Sequence, residues 1–459
     1  MSSASVSLKT AFELNVGSPI GQFRAAPVCL GPDGPHAMIA AYAADFDVDP
    51  YVEMFFFPTD TLKLVLFDLK GKILWKRDLG PAVVPGMWFV PVLPFDLDGD
   101  GCDEIFYVGN TDPQHPLGVS KYVLERLDAR TGEVTGQWPW PRYGGEQTLS
   151  SQFRNFLMGA RVYDEPVLVT AQGTYGAMFL QGWRPGMQAR WDHRIAADSP
   201  GARGSHMCPV VDINHDGVDE LMWGERCIEL DKGTELFCAD RDVYRGHSDV
   251  IQPLFDRASG RWFVYTIREG DPEATPRVVL FDDQGRRVWG AVDKGHMDMG
   301  WVARRGPEAR FIAMAIRIGH KTCGPDGRFH EGRTEFVFDA MTGRPVDPGF
   351  SVYQTKPVDL NGDGRHEFVR GIPGGDGEVI DENGVILGSV GGPVALTGKF
   401  LDRPGEQVLV YHPDGAVRAW YDANAEDRPQ ALERYSSRFY QTNLRHMSTG
   451  SNPSVLAGA

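Results

Sequence analysis

Apolar and polar positions alternate along most of the chain in short runs of roughly four to eight residues bounded by Gly, Asp, Asn and Pro, the pattern of β-strands. Helical periodicity is nearly absent. One short pattern recurs: two β-favouring runs around a polar turn, usually with Gly and usually closing on an aromatic. It reads FDLKGKILW (67–75), LDARTGEVTGQW (127–138), LQGWRPGMQARW (180–191) and LDKGTELF (230–237). It continues as FDDQGRRVW (281–289), FDAMTGRPV (338–346), IDENGVIL (380–387) and YHPDGAVRAW (411–420). Each is a hairpin signal. Ahead of each lies a second strand pair, clearest in PVLPFDLDGDGCDEIFYVG (91–109), PVVDINHDGVDELMWG (209–224) and KPVDLNGDGRHEFVRG (356–371).

Eight such units of two hairpins, averaging about 50 residues, fill positions 22–422, and four short strands at that repeat length predict a β-propeller. The expectation is an all-β chain, 1–459, forming a single β-propeller domain with four antiparallel strands per blade. Eight blades is the direct count; seven holds if an end unit is not a full blade. A pair of β-sandwiches would not explain eight similar units. The last unit has only three evident strands, so the N-terminal segment VSLKTAFELNV (6–16) is the candidate fourth strand that closes the ring.

Composition narrows the partners. Lys and Arg number 46 against 62 Asp and Glu, a net charge of -16, and aromatics make up 11%. That aromatic content excludes a disordered chain. The acidic balance excludes a nucleic-acid binder that tracks phosphates with a basic face. An acidic substrate would need a local cationic pocket or a metal, because the whole-protein field does not attract it. No apolar run approaches the ~20 residues that cross a bilayer, so no membrane partner is expected. The N-terminus has neither a basic start nor a continuous apolar segment and carries no secretory signal as written. A secreted or periplasmic protein trimmed of its signal would read the same way. Six scattered cysteines without a CxxC pair are not a disulfide framework. Cys227 and Cys238 flank one predicted hairpin, but free buried thiols are expected. A monomer is expected as well.

Three units carry an acidic loop between their first two strands. Asp96, Asp98 and Asp100 lead to Asp103 and Glu104; Asp212, Asn214 and Asp216 lead to Asp219 and Glu220; Asp359, Asn361 and Asp363 lead to His366 and Glu367. Oxygen ligands at alternate positions with a turn-forming Gly suit Ca²⁺. The twelfth position of the first loop is Tyr107 and strands flank it, which excludes an EF-hand. An ordinary Asp/Asn/Gly turn is the alternative. The expected sites are structural, on the face opposite the next constellation.

Three successive blades open with His206-Met207-Cys208, His247-Ser248-Asp249 and His296-Met297-Asp298. Residues two apart on a strand point the same way. His206/Cys208, His247/Asp249 and His296/Asp298 are therefore expected to line the channel mouth, as a zinc or calcium site or as a proton-transfer site. Gln152, Arg154, Gln172, Tyr175, Arg226, Tyr244, Arg245 and His115 are expected on the same face. Tyr and His move protons, and Arg clamps a carboxylate bidentately.

SHMCPVVDINHDGVDEL (205–221) followed by YRGHSD (244–249) resembles the core of the rhamnogalacturonan lyases and their relatives, a β-propeller polysaccharide lyase group that includes ulvan lyases and lyases acting on rhamnose–glucuronate linkages. The segment VTAQGTYGAMFLQGWRPGMQARW (169–191) is similar in layout to the preceding blade of those enzymes. The resemblance implies β-elimination at a 4-linked uronic acid in an acidic polysaccharide. It implies Arg245, Arg226 or a bound metal as the neutraliser of the carboxylate, and His247, Tyr244 or Tyr175 as proton carriers. Such lyases often place a histidine where this chain has Gln152, which cannot act as a base. Relatives on the same scaffold hydrolyse rhamnose–glucuronate bonds with a histidine on the opposite face, where His36 lies here. A non-catalytic calcium propeller that binds glycan or protein is the third reading.

Overall fold

The repeated hairpins form eight antiparallel sheets set around a ring as propeller blades. The computed structural model describes residues 6–144, 148–271, 273–371, 377–447 and 454–459. Blade 1 runs from Gln22–Val28 through Ala37–Ala43 and Lys63–Asp68 to Ile73–Asp78. Blades 2 to 5 begin with the inner strands Val92–Phe95, Asn155–Val162, Val210–Val211 and Ser248–Asp256. Blades 6 to 8 begin with His296–Arg305, Thr355–Val358 and Val394–Gly398. Leu8–Asn15 pairs antiparallel with Ala416–Asp422 as the outer strand of blade 8, so the N-terminal segment closes the ring. In blade 6 the fourth strand is reduced to one bridge, Phe338 to Pro345. A separate hairpin, His320–Gly324 with Gly327–Glu331, is inserted between its second and third strands.

Burial along each blade explains the alternating pattern. Inner strands are covered on both faces by neighbouring blades, and Ala37–Ala43 and Val92–Phe95 are buried at every position. Outer strands keep one face in water, and Ile73–Asp78 alternates exposed and half-buried residues.

The aromatic that ends the repeat joins blades. Trp75, Trp191 and Trp289 each donate their indole N–H to a carbonyl of the next blade's outer turn, Ala129, Leu230 and Ala340, at 2.8 Å. The same rings lie against Gly132, Gly233 and Gly343, whose φ values are 72°, 70° and 69°. A Cβ at any of these would come within 2.8 Å of the indole. Glycine is needed there for conformation and for contact. All six cysteines are free.

The acidic loops share one geometry. The Asp96 carboxylate accepts from the amides of Gly99, Asp100 and Gly101 at 2.7, 3.0 and 2.9 Å. Asp212 does the same for Asp216 and Gly217 at 3.1 Å, and Asp359 for Gly364 at 3.0 Å. Asp98 pairs with Arg126 at 3.2 Å, Asn214 donates to Asp216 at 3.1 Å, and Asn361 donates to Glu367 at 2.8 Å. Asp100 accepts from the Cys102 amide and Asp363 from the Arg365 amide. Burial pushes the Glu104 and Glu220 carboxyls up to about 8. Among the described residues, groups of three or more His, Cys, Asp or Glu ligand atoms within 4.8 Å lie elsewhere, so a cation in these loops would need Asn, backbone carbonyl or water oxygens as well.

Helices Pro429–Ser436 and Arg438–Asn443, which the strand-like patterning did not announce, lie across this face. Two of their arginines, and Arg445 just after them, reach the three loops. Arg445 pairs with Asp103 at 2.7 Å, Arg438 with Asp219 at 3.0 Å, and Arg434 with Asp359 at 3.0 Å and Glu406 at 2.9 Å. Asp359 also accepts from the Tyr435 hydroxyl at 3.1 Å. Arg434 is buried between two buried carboxylates. Arg434→Ala should therefore destabilise the fold by about 3–5 kcal/mol, the usual penalty for stranding a buried charge, read as a lower denaturant midpoint.

Candidate active site at the channel mouth

Three adjacent blades bring the predicted histidines together, by irregular backbone rather than straight strands. The inner strand of blade 5 slips register between Ser248 and Val250, and that of blade 6 between Met297 and Met299. Asp249 and Asp298 are thus the extra residues of β-bulges, which re-aim a side chain next to a site. His206 precedes its strand altogether. Its amide donates to the Ser248 carbonyl at 3.0 Å, which ties the blade 4 opening to that of blade 5.

Glu269, in the loop after the second strand of blade 5, is the hub. Its Oε2 lies 2.6 Å from His247 Nε2 and 3.8 Å from His206 Nε2, and its other oxygen meets His296 Nε2. Asp249 Oδ1 lies 3.5 Å from His206 Nε2 and 3.7 Å from His247 Nε2. The inserted hairpin supplies Lys321, whose Nζ is 2.7 Å from Asp298, 3.2 Å from Glu269 and 3.4 Å from His296. It also supplies His330, 3.1 Å from Asp298. On the other side Arg154 lies over the rings of Trp88 and Tyr175 at 4.9 and 5.0 Å and pairs with Asp49 at 2.9 Å. The Tyr175 hydroxyl is 3.2 Å from His206 Nε2, and its ring packs 4.2 Å from that of His247. These groups line one cavity of about 670 Å³.

Burial and charge split the titrating groups. Burial and Arg154 hold His206 well below the usual histidine range, and burial lowers His247 against the pull of Glu269. Burial opposes charge on His296 too, but its bonds to Asp298 and Glu269 prevail and push it up to about 9. Burial and the neighbouring Glu269 hold the Asp249 carboxyl well above its ordinary value. Despite burial, His247, His296 and Lys321 keep Glu269 ionised. Lys321 is raised, since Asp298 and Glu269 outweigh burial, whereas burial alone brings Lys356, which lines the same cavity and donates to the Val394 carbonyl at 3.3 Å, down to about 8.

Two groups have ligand atoms within 4.8 Å of one another: His206, His247, Asp249 and Glu269, and Glu269, His296 and Asp298. Lys321 lies against all three members of the second and supplies a cation there. The first fits a metal ion better, because Asp249 Oδ1 is buried with no hydrogen-bond partner among the described residues.

Of the residues expected here, His206, His247, Asp249, His296, Asp298, Arg154 and Tyr175 line the cavity. The others do not. Cys208 is fully buried in an apolar cluster with Phe156 and Trp223, because the two-residue rule fails in the irregular backbone after His206. Tyr244 points into the protein and donates to the His247 carbonyl, and Arg245 is exposed. Arg226 turns to Glu235 and to the carbonyls of Pro200 and Ala202. Gln152 sits in the helical turn Leu149–Phe153, where its carbonyl accepts from Gln172 at 2.8 Å. His115 is exposed and pairs with Asp112. His36 is exposed in the first turn of blade 1, with its Nδ1 accepting from the Leu30 amide at 3.2 Å. Asp49, Glu269, Lys321, Arg328, His330 and Lys356 were not foreseen. The one signal for the hairpin was the extra length between the second and third strands of unit 6, with Lys321, Arg328 and His330 in it.

Fold and site define an eight-bladed propeller with a histidine–carboxylate cluster at one channel mouth. The chain is similar to the rhamnogalacturonan exolyase YesX of Bacillus subtilis, 27% identical over 333 residues, covering 61% of this chain and 54% of that protein. It is also similar to the rhamnogalacturonan endolyase YesW of the same organism, 24% identical over 234 residues, covering 42% of this chain and 37% of that one. The chain thus matches about half the length of the first relative and less of the second. Among solved structures, exotype rhamnogalacturonan lyase YesX superposes with a TM-score of 0.73 at 19% identity, covering 96% of this chain and 80% of that one. The Bacillus licheniformis rhamnogalacturonan lyase PL11 superposes with a TM-score of 0.76 at 18% identity, covering 97% and 81%. No protein-family model matches the chain.

Proposed function

We propose that this chain is a polysaccharide lyase that cleaves an acidic, rhamnose- and uronate-containing glycan by β-elimination. The observation that carries the reading is the convergence of His206, His247, Asp249 and Glu269 with a charged Lys321 and a weakly basic Lys356 around one cavity. Elimination at a 4-linked uronic acid needs a neutralised carboxylate, a base for the C5 proton and an acid for the leaving O4. A divalent cation held by the four clustered residues would supply the neutralising charge. Two imidazoles and two carboxylates are ligand types that zinc takes, with calcium as the rival. Arg154 and Lys321 add fixed positive charge. Lys356 is in part unprotonated at neutral pH and takes the C5 proton. Tyr175, kept protonated by burial, donates to the leaving oxygen.

The similar proteins are named for action on rhamnogalacturonan, so a rhamnose–galacturonate polymer is the first substrate to try, followed by ulvan and gum arabic. A lyase gives a rise in ultraviolet absorbance from the new unsaturated uronate. Free rhamnose without that rise would replace this reading by hydrolysis. Neither product from any of the three would favour a binding protein.

Structural calcium in the first two acidic loops belongs to the same proposal, since Glu104 and Glu220 are buried acids whose ionisation a cation would support. Chelator should then lower Tm, and added Ca²⁺ should restore it. An unchanged Tm in a sample that metal analysis shows to be stripped would contradict calcium there.

A further inference from the structure

We propose that the loop joining the second and third strands of blade 1 is a stacking subsite for a neutral 6-deoxy sugar, a rhamnose of the glycan just outside the cavity; the identity of the glycan rests on the lyase reading above. The loop takes residues 44–62, nineteen positions without strand or helix, where blade 3 uses five and blade 4 two. Loops of that length in a compact domain usually serve a function. This one exposes aromatic surface, with Phe57 80% and Tyr51 41% exposed. It is nevertheless fixed from below. Asp45, itself buried, accepts from the Thr59 amide and hydroxyl at 2.6 and 2.9 Å and from the Asp60 amide at 2.9 Å. Asp49 accepts from the Tyr51 amide at 2.9 Å, and the Ser150 hydroxyl donates to the Pro50 carbonyl at 3.2 Å. Phe55 meets Phe57 edge to face at 5.2 Å between ring centroids and the buried Phe89 at 6.3 Å.

Exposed rings on a fixed loop are ordered before a ligand arrives, so binding loses little conformational entropy. The apolar C–H face of a pyranose and the methyl group of a 6-deoxy sugar lie flat against such rings. Tyr51, Glu53 and Met54 also line the cavity, so a glycan leaving the cavity on this side runs on over the loop. Charge selects which sugar lies there. Residues 44–62 contain five carboxylates, Asp45, Asp47, Asp49, Glu53 and Asp60, and no Lys or Arg. Glu53 is exposed two residues from Tyr51. A uronate is repelled at this loop, whereas Arg154, Lys321 and Arg328 bring positive charge to the cavity. Where rhamnose and uronate alternate, a uronate in the cavity puts its rhamnose neighbour at the rim.

The test is saturation-transfer NMR on the whole protein, with methyl rhamnoside as the neutral probe and methyl galacturonide as the charged one. Neither has a 4-linked leaving group, so neither is consumed. Expected is saturation of the rhamnoside methyl group and of one ring face. It should fall several-fold in the double variant Tyr51→Ala/Phe57→Ala and persist in Phe57→Trp. Both side chains are exposed, so the variants keep the core. The uronide signal, which comes from the cavity, should survive Phe57→Ala. No rhamnoside saturation, an undiminished signal in the double variant, or a uronide signal that falls in step with it overturns the subsite. A dimer in sedimentation that Phe57→Ala dissolves gives the rings to a second copy of the chain and overturns it too. The lyase reading is scored separately, by ultraviolet absorbance on the polymer. Absorbance without a rhamnoside signal leaves the lyase reading standing and overturns the subsite. A rhamnoside signal that the double variant loses, without absorbance, supports the subsite and overturns the lyase reading.

Discussion

Glu269→Gln should lower kcat/KM by on the order of 10²–10³, the loss typical of removing one preorganised electrostatic group from a water-poor site. The carboxylate holds His247 at 2.6 Å, meets His296 and lies 3.2 Å from Lys321. Without its charge, His296 loses a partner that keeps it near 9, and the four-residue group loses one of its two carboxylates. Bound metal per chain, measured on the same sample, should fall with activity. Arg245→Ala and His36→Ala should leave turnover nearly unchanged, because both side chains are exposed and outside the cavity. Loss of turnover in His36→Ala with full turnover in Glu269→Gln would move the chemistry to the opposite face.

Lys356→Ala should be comparably damaging, and its pH signature is more informative. Burial brings this lysine down to about 8. A base works in its unprotonated form, so kcat/KM should rise with pH and level off above that value. Below it the rate should fall about tenfold per pH unit, as expected for one titrating base. Lys356→Arg keeps charge and bulk but cannot lose its proton in this range, so it should not rescue. An inflection near the ordinary histidine value that persists in Lys356→Ala would assign the proton to a histidine instead.

The ring was legible because the strand pattern repeats from blade to blade and one contact recurs at three of the junctions. A tryptophan at the end of a hairpin and a glycine in the next outer turn are two halves of one contact, and both recur in sequence. The closing strand was legible from a unit one strand short. The three histidines were legible because their openings recur in successive blades.

What the sequence concealed lies where no repeat operates. Tyr244 and Arg245 sit beside His247 in sequence, yet the fold points one inward and the other to solvent. Arg226 is drawn to Glu235 instead of the channel. Cys208 follows His206 by two residues, but the backbone between them is not a strand. Glu269, Asp49 and the hairpin residues Lys321 and Arg328 come from loops without equivalents in other blades. The two short C-terminal helices are held by arginine–carboxylate pairs to distant loops, and apolar periodicity does not report such pairs.

The central claim, elimination at the channel mouth, is tested most directly by the source of oxygen in the product. The reaction is run on a rhamnose–uronate polymer in water enriched in heavy oxygen, and the fragments are weighed by mass spectrometry. Elimination breaks the C4–O4 bond without adding water, so the unsaturated fragments should carry no heavy oxygen beyond slow exchange at the new reducing end. One heavy oxygen per bond cut, in fragments heavier by one water than the elimination products, would contradict it.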